Sequence, residues 1–439
     1  MKRLLYLIID LFIIYGSVIF TFYFLAYIDM LEDFHRNFQA FKIIAPSIGV
    51  FYLILMYAFG LYNISRMSFF EVVYSIFLIS LSLWIGIMGI CFLVREVALA
   101  FPRSVIFLSA LFYFIFLALW RLSLWFISHR LRGIKKITII GDLYNKLTDV
   151  ITCKYSHFYQ IEHQCTENDP QLSSKIKSAD EVFLSSGISQ KMRERIFFIC
   201  IKNKKNVCFV PEYFDLNMMS SSFYKTDDIP TFRTAGMELS PEERLVKRAT
   251  DLLFGLIASI IALPIGLIIA FLIKLDGGPV FYIQERFTRG YKKFNIYKFR
   301  TMIPDAEKQS GPVLADEKDS RITWIGRFIR TVRLDEIPQL INILKGDMSL
   351  VGPRPERPFF VEQFEKTIPE YSYRFNVKAG LTGLAQVEGK YNTSVENKLR
   401  YDLIYINKYS IFNDLLIMLQ TVKILFMKES TEGITSSKN

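Results

Sequence analysis

Residues 330–358 read RTVRLDEIPQLINILKGDMSLVGPRPERP. Ile337, Leu340, Ile341 and Leu344 recur at i, i+3, i+4 and i+7, one face of a helix. Proline is tolerated only in a first turn, so Pro338 places the start of this helix near Asp335, and Gly346 supplies its stop. The adjacent carboxylates Asp335 and Glu336 then stand at the positive end of a helix dipole, which keeps them ionised and favours a metal–anion complex beside them. An Asp there also serves as a plain N-cap. A cap does not explain the surrounding arginines, Arg327, Arg330, Arg333 and Arg354.

At 439 residues the chain exceeds one ordinary soluble domain, and 51% apolar residues with a mean hydropathy of +0.27 point to a membrane. Apolar stretches at 4–28, 41–63, 71–94 and 104–127 are each long enough to cross a hydrocarbon core of about 30 Å. The first lacks a small-residue cleavage site before the polar loop at 29–36, so it reads as an anchor rather than a signal peptide. Lys2 and Arg3 before the first stretch, and Arg130, Arg132, Lys135 and Lys136 after the fourth, put both ends of a four-helix transmembrane bundle (1–132) in the cytoplasm. The loops near Arg36, Lys42, Arg95 and Arg103 carry some positive charge too. Asp10 is one of few ionisable groups in the spans, which argues against a channel or pump. The formal charge of +11 suits anionic headgroups or phosphates, and no recognition-helix, zinc-finger or aromatic-platform pattern directs it to nucleic acid. The five cysteines have no CxxC or Cys/His spacing and read as reduced.

Residues 133–235 alternate strand and helix: KKITII, a helix near 143–152, EVFLSS at 181–186, a helix near 188–203, and NVCFV at 206–210. The expectation is a small Rossmann-like α/β domain. Its first strand leads into GDLYNKL, not G-x-G-x-x-G, so no dinucleotide is expected there. A fifth apolar stretch, 252–273, reads naively as another span, but Pro264 and Gly266 sit in its middle. Basic residues flank both sides, Arg244, Lys247 and Arg248 before, Lys274, Arg286, Arg289, Lys292 and Lys293 after, which favours both ends facing the cytoplasm. A helix broken at Pro264, entering one leaflet and returning over 249–274, satisfies both observations.

The later part of the chain resembles the bacterial sugar transferases, the polyprenyl-phosphate phosphoglycosyl transferases with a monotopic catalytic core. The matching blocks are VKRATDLLFG (246–255), GPVFYIQERFTRG (278–290), IYKFRTM (296–302), DSRITWIGRFIR (319–330), LDEIPQL (334–340), GDMSLVGPRP (346–355) and VKAGLTGLAQVEGK (377–390). They run in family order over about 243–428, an expected α+β catalytic domain, with a polar tail at 429–439. Where many members have Ser-Pro at the membrane break, this chain has Leu263-Pro264.

The resemblance implies transfer of a hexose-1-phosphate from a UDP-sugar, by default UDP-glucose or UDP-galactose, to undecaprenyl phosphate with release of UMP. That is the first membrane step of exopolysaccharide, capsule or O-antigen synthesis, on the cytoplasmic face of a bacterial inner membrane. It implies Asp335 as the nucleophile of a covalent aspartyl-phosphosugar, and Glu336, with Asp335, as the holder of Mg²⁺. Lys298 and Arg300, alternating on an expected strand, leave the same face and would bind substrate phosphate. Arg354, its backbone fixed by prolines, would pair with phosphate. Arg286 and Arg289 would meet substrate phosphate or lipid headgroups, and Lys247, Arg248 and Asp251 would contact the lipid phosphate or anchor the chain at the membrane. Gln386 lies in AGLTGLAQVEG, a loop placed either against a nucleotide or simply packed. Residues 411–427 form an amphipathic helix, Asn413, Asp414, Gln420 and Thr421 opposite Leu415, Leu416, Leu419, Ile424 and Phe426, expected in the interface plane or else in a core. The extra α/β domain suits a homodimer. A rival from another class is a membrane-anchored sensor or scaffold, which would need nothing of the Asp335–Glu336 pair. A carboxylate-pair glycosidase fails, because neighbouring residues cannot place carboxyls about 5 Å or more apart across a sugar ring.

Overall fold

The computed structural model describes residues 2–31, 33–93, 101–131, 133–141, 146–156, 158–234, 236–303, 319, 321–390 and 393–425. Arg95, Arg132, the first residues of the helix expected near 143 and the tail at 429–439 lie outside them. The chain divides into two compact units, Met1–Glu212 and Tyr213–Asn439.

In the first unit, α1 (Lys2–Tyr27), α2 (Phe34–Ala58), α3 (Phe69–Leu93) and α4 (Arg103–Leu131) are long and apolar enough to cross a membrane. Helix α2 is displaced from the expected 41–63. Asp33 accepts the Arg36 N–H at its start, and Gly60, at φ 77°, turns the chain into a short 3₁₀ segment after it. Asp10 has the counter-ion that the sequence reading did not assign. Arg121 donates from Nε and Nη2 to its carboxylate and from Nη1 to the Leu61 carbonyl at 2.9 Å, while Tyr52 donates to Asp10 at 2.6 Å. Two buried charges are tolerated among apolar helices because each is paired and hydrogen-bonded.

After α4 come β1 (Lys135–Ile140), α5 (Lys146–Lys154), β2 (Tyr159–Cys165), α6 (Leu172–Ser178), β3 (Glu181–Leu184), α7 (Gln190–Lys202) and β4 (Asn206–Phe209). The strands form one parallel sheet in the order β2-β1-β3-β4. Strand β2, YQIEHQC, was not anticipated, because an edge strand with few apolar residues carries little periodic signal. Where β1 and β3 end, a Cβ on Gly141 would lie 1.7 Å from Ser185 Oγ, and its φ of +125° suits glycine alone.

The second unit opens with α8 (Tyr213–Met218), residues that the sequence reading gave to the middle domain. Leu216 is fully buried in this unit's core, and Asn407 Nδ2 donates to its carbonyl at 3.1 Å. A hairpin of β5 (Ser222–Thr226) and β6 (Ile229–Arg233) follows, then α9 (Pro241–Leu275). A capping box between Ser240 and Glu243 starts α9 eight residues before the expected 249. The helix runs through Pro264 without the expected interruption: a proline withdraws one N–H from the ladder, and the neighbouring bonds carry the helix past it.

Helix α9 is two-faced. Lys247, Asp251, Gly255, Ala258, Ala262, Gly266, Ile269 and Ile273, spaced by threes and fours, pack against the rest of the unit. Small residues in mid-seam allow close approach, with a Cβ on Gly255 meeting Ile343 at 3.2 Å and one on Gly266 meeting Ile337 and Phe299 at 3.8 Å. Ile260, Ile261, Leu263, Leu267, Ile268 and Phe271 face outward, each about 60% exposed or more.

The remaining elements are the hairpin β7 (Phe281–Phe287) and β8 (Lys293–Phe299), α10 (Trp324–Thr331), α11 (Gln339–Lys345), β9 (Ser349–Val351), α12 (Pro358–Thr367), β10 (Gly380–Thr382), α13 (Leu384–Val387), α14 (Val395–Asn407) and α15 (Ile411–Leu425). Helix α15 is amphipathic as expected, but its polar side faces the protein. Asp414 is buried, Thr421 meets Thr382 at 2.6 Å between hydroxyl oxygens, and Ile411, Phe412 and Val422 are exposed. Leu416 and Ile417 are buried as well, so the helix has a partly core role.

Two outcomes follow from this packing. Residues near both ends of α9, itself long and apolar enough to cross a membrane, are tied to the same unit; cysteines placed at Val246 and Glu285, in a chain cleared of its native cysteines, should therefore label identically with an impermeant thiol reagent, and opposite labelling would require a spanning helix. Leu216→Ala should cost roughly 2–5 kcal/mol. A chain starting at Tyr213 should accordingly melt higher than one starting at Ser240, as read by thermal unfolding in detergent.

Candidate active site

The carboxylate pair sits in a tight turn rather than on the helix that follows it. Arg333 adopts φ 55°, Leu334–Glu336 make one 3₁₀ turn, and α11 begins only after Pro338. The helix therefore starts four residues later than expected from Asp335, while the stop at Gly346, φ 91°, is as expected. No side-chain cap is made at the start of α11, so the N-cap reading of Asp335 is not realised.

Three attachments fix this turn. Leu334 and Ile337 pack with Ile269, Ile273, Phe299, Ile325 and Ile329, and Ile337 lies against the Gly266 region, so the turn that carries the carboxylates is seated on α9. Asn342, fully buried, accepts the Tyr297 N–H at 3.0 Å and donates to the Asn295 carbonyl at 2.8 Å, tying α11 to the strand that carries Lys298. Arg248 donates to the carbonyls of Ile343 and Leu344 at 2.6 and 2.8 Å, where the free carbonyls of α11 carry partial negative charge.

Glu336 Oε1 accepts from Lys298 Nζ at 2.9 Å and from Arg354 Nη2 at 2.8 Å. Burial works against the Glu336 charge, but Arg354 and Lys298 outweigh it and hold this carboxyl far below the usual carboxylate range. Asp335 differs. Its pKa is raised, first by burial and then by the Glu336 charge, against the pull of Lys298, Arg354 and Arg330. Burial also lowers the Arg333 guanidinium, and brings Arg286 down to about 10 with Arg357 and Arg354 adding to the fall. Two adjacent carboxylates are thus differentiated: one clamped by cations, the other partly buried and surrounded by positive charge. The carboxylate oxygens of Asp335 and Glu336 are hard donors. Among the described residues no group of three or more His, Cys, Asp or Glu is gathered as for a closed metal site. Two carboxylates suit Mg²⁺, which keeps waters and takes phosphate oxygens from its substrate.

Lys298, Arg354, Asp335 and Glu336 therefore come together as the sequence suggested. Others do not. Arg300 lies one residue past β8, and its Nη2 donates to the carbonyls of Ile273 (3.3 Å) and Gly277 at the end of α9. It caps that helix instead of sharing a face with Lys298. Lys247 is 5% exposed and donates to Asp414 at 2.6 Å and to Tyr405 at 3.0 Å. Asp251 accepts the Ser349 hydroxyl and the Leu350 N–H, both at 2.9 Å. Lys247, Arg248 and Asp251 are thus tied to other elements of the unit, with Lys247 and Asp251 buried and Arg248 half-exposed. Arg289 is exposed in the β7–β8 turn. Gln386 donates to the Leu381 carbonyl at 2.9 Å, and its buried Oε1 has no partner among the described residues. The glycines of AGLTG are there for packing: a Cβ on Gly380 or Gly383 would come within 2.1 or 2.2 Å of the Gly352 backbone. The sequence reading missed Asn342, Arg374 and Asp402, each an isolated polar residue outside any charge cluster.

Residues 242–428 match the model of the family described as bacterial sugar transferase. A UDP-N-acetylgalactosamine-undecaprenyl-phosphate N-acetylgalactosaminephosphotransferase from Aeromonas hydrophila is 41% identical over 203 residues, 45% of this chain and 48% of that protein. The undecaprenyl-phosphate galactose phosphotransferase of Salmonella typhimurium is 32% identical over 241 residues, 51% of this chain and 50% of that protein. A Bacillus subtilis protein, provisionally named an undecaprenyl-phosphate N-acetylgalactosaminyl 1-phosphate transferase, is 47% identical over 158 residues, 36% of this chain and 78% of its own length. The chain spans about half the length of the Aeromonas and Salmonella proteins. Because the match takes in most of the Bacillus protein and the family's blocks surround the Asp335–Glu336 turn, the chain belongs to the bacterial sugar transferase family.

Proposed function

We propose that this chain transfers a sugar-1-phosphate from a UDP-sugar to undecaprenyl phosphate through a covalent intermediate on Asp335. The observation that carries this reading is the unequal pair: Glu336 held by Lys298 and Arg354, with Asp335 beside it and not engaged as a helix cap. An Asp335 oxygen attacks the sugar-bearing phosphorus, and the bond from that phosphorus to the bridging oxygen breaks, sending the electron pair out with UMP. An oxygen of undecaprenyl phosphate then attacks the same phosphorus, and the carboxylate is regenerated. Lys298 and Arg354 neutralise charge on the non-bridging oxygens, where phosphoryl transfer needs it most. Glu336, with Asp335, would hold Mg²⁺, whose charge offsets that of the diphosphate.

The seating of the turn on α9 through Ile337 supports a lipid acceptor, since α9 is the helix of this unit that exposes a long apolar face. On this reading the unit works on the cytoplasmic face of a bacterial inner membrane, with the first unit as anchor and a non-catalytic α/β domain. Two relatives at 41% and 47% identity are named for N-acetylgalactosamine and a third for galactose, so UDP-N-acetylgalactosamine is the first donor to test, ahead of UDP-galactose and UDP-glucose.

With UDP-sugar and Mg²⁺ but no lipid acceptor, mass spectrometry should find a phosphosugar on Asp335. Asp335→Asn should lose both adduct and UMP release; an active Asn variant would rule out covalent catalysis. Glu336→Gln should slow turnover about a hundredfold, on the order of 3 kcal/mol, and weaken the Mg²⁺ dependence.

The pH profile supplies a separate check. In the metal-free protein burial and the Glu336 charge raise the Asp335 pKa, so this carboxyl should be ionised above that pKa and protonate as pH falls through it. Part of the rise comes from the Glu336 charge, so Glu336→Gln should move the Asp335 titration, read by carbon NMR without Mg²⁺, to lower pH. A titration that stays put, or moves up, would contradict the unequal pair on which the reading rests.

A further inference from the structure

Arg354 stands between Pro353 and Pro355, and its side chain, 44% exposed, reaches Glu336. Proline at 355 has no N–H, so the 354–355 peptide can be held only through the Arg354 carbonyl. That carbonyl accepts Arg374 Nη2 at 2.8 Å. Arg374 is 6% exposed, lies with its guanidinium carbon 4.8 Å from the Tyr371 ring centroid, and donates from Nη1 to the Tyr371 hydroxyl. Its Nη2 also pairs at 3.0 Å with Asp402, which is 2% exposed on α14. A buried ion pair is weak evidence of stability by itself, because desolvation offsets much of its attraction. What this one achieves is a fixed donor on a backbone atom of the loop that carries Arg354.

We infer that Arg374, held by Asp402, is a positioning residue that fixes the Arg354 carbonyl and so aims the Arg354 guanidinium at Glu336 and the substrate diphosphate. The inference rests on the site reading given under the proposed function. Arg374 acts through Arg354 rather than on either carboxylate.

The test uses the full chain in detergent or nanodiscs, with UMP release as the assay. Arg374→Met combined with Asp402→Leu removes both buried charges together and keeps the volume filled, so the melting temperature should stay close to that of the unaltered protein. kcat should nonetheless fall about a hundredfold, the scale of a small misplacement at a reacting centre, with KM for the UDP-sugar changing much less. Arg374→Lys, which keeps the pair with Asp402 and one donor, should recover about tenfold of that loss. In an Arg354→Lys background the double change should cost no more than about threefold further, because the group it aims has been replaced. Turnover close to normal in the folded double variant, or losses that multiply with those of Arg354→Lys, would overturn the inference. Should the double variant fail to fold, Arg374→Lys in the two backgrounds decides between the same outcomes by additivity. Full turnover in Arg354→Ala alone would instead remove the site reading on which the inference stands.

Discussion

A charged residue on the inner face of an apolar helix must be covered by protein, and this requirement organises the second unit. Lys247, Arg248 and Asp251 occupy successive positions around the start of α9, and each is met by a different element: Asp414 of α15, the last carbonyls of α11, and the first residues of β9. At the far end Arg300 closes on the carbonyls of Ile273 and Gly277. Leaving any of these groups unpaired would cost several kcal/mol, so the elements they bind are held in one arrangement around the helix. The small residues between, Gly255 to Gly266, then admit α11 and the carboxylate turn at close range.

The site inherits its rigidity from that arrangement. Glu336 is held by a strand residue and a loop residue, and Asn342 fixes the strand to the helix behind the turn. On the proposed reaction, the groups that would neutralise phosphate are thus placed before substrate arrives, the condition under which fixed charges contribute most to a phosphoryl transfer. The same cations that anchor Glu336 only partly offset what burial does to Asp335, and the two neighbours come to differ in basicity without differing in chemistry.

How much of this was legible depended on range. The Asp335–Glu336 pair, Arg354, Lys298 and the family blocks were visible because each is a local pattern. The pairing of Lys298 with Arg300 was inferred from strand alternation, and failed because β8 ends at Phe299 and helix carbonyls capture the next residue. Lys247 and Arg248 looked like a membrane-surface cluster; nothing local reveals that Asp414 and the end of α11 come to meet them. The amphipathic pattern of α15 was correct, but periodicity says which residues share a face and not which face turns inward. Here Lys247 and Thr382 supply polar partners for Asp414 and Thr421, which are covered together with Leu416 and Ile417. Isolated residues such as Arg374 and Asp402 carry no local signal, because the fold alone brings them together.

Helix α9 is fastened at Lys247 and Arg248 near one end and at Ile273 near the other, all to a single body. A helix that crosses a bilayer must match its hydrophobic length to the thickness of the hydrocarbon, and it tilts or deforms the lipid when it does not. One that is fastened at both ends to the same body has no second leaflet to reach. If the unit works from one face of the membrane, as proposed, α9 is released from that length match, whereas α1–α4, if they cross, remain subject to it.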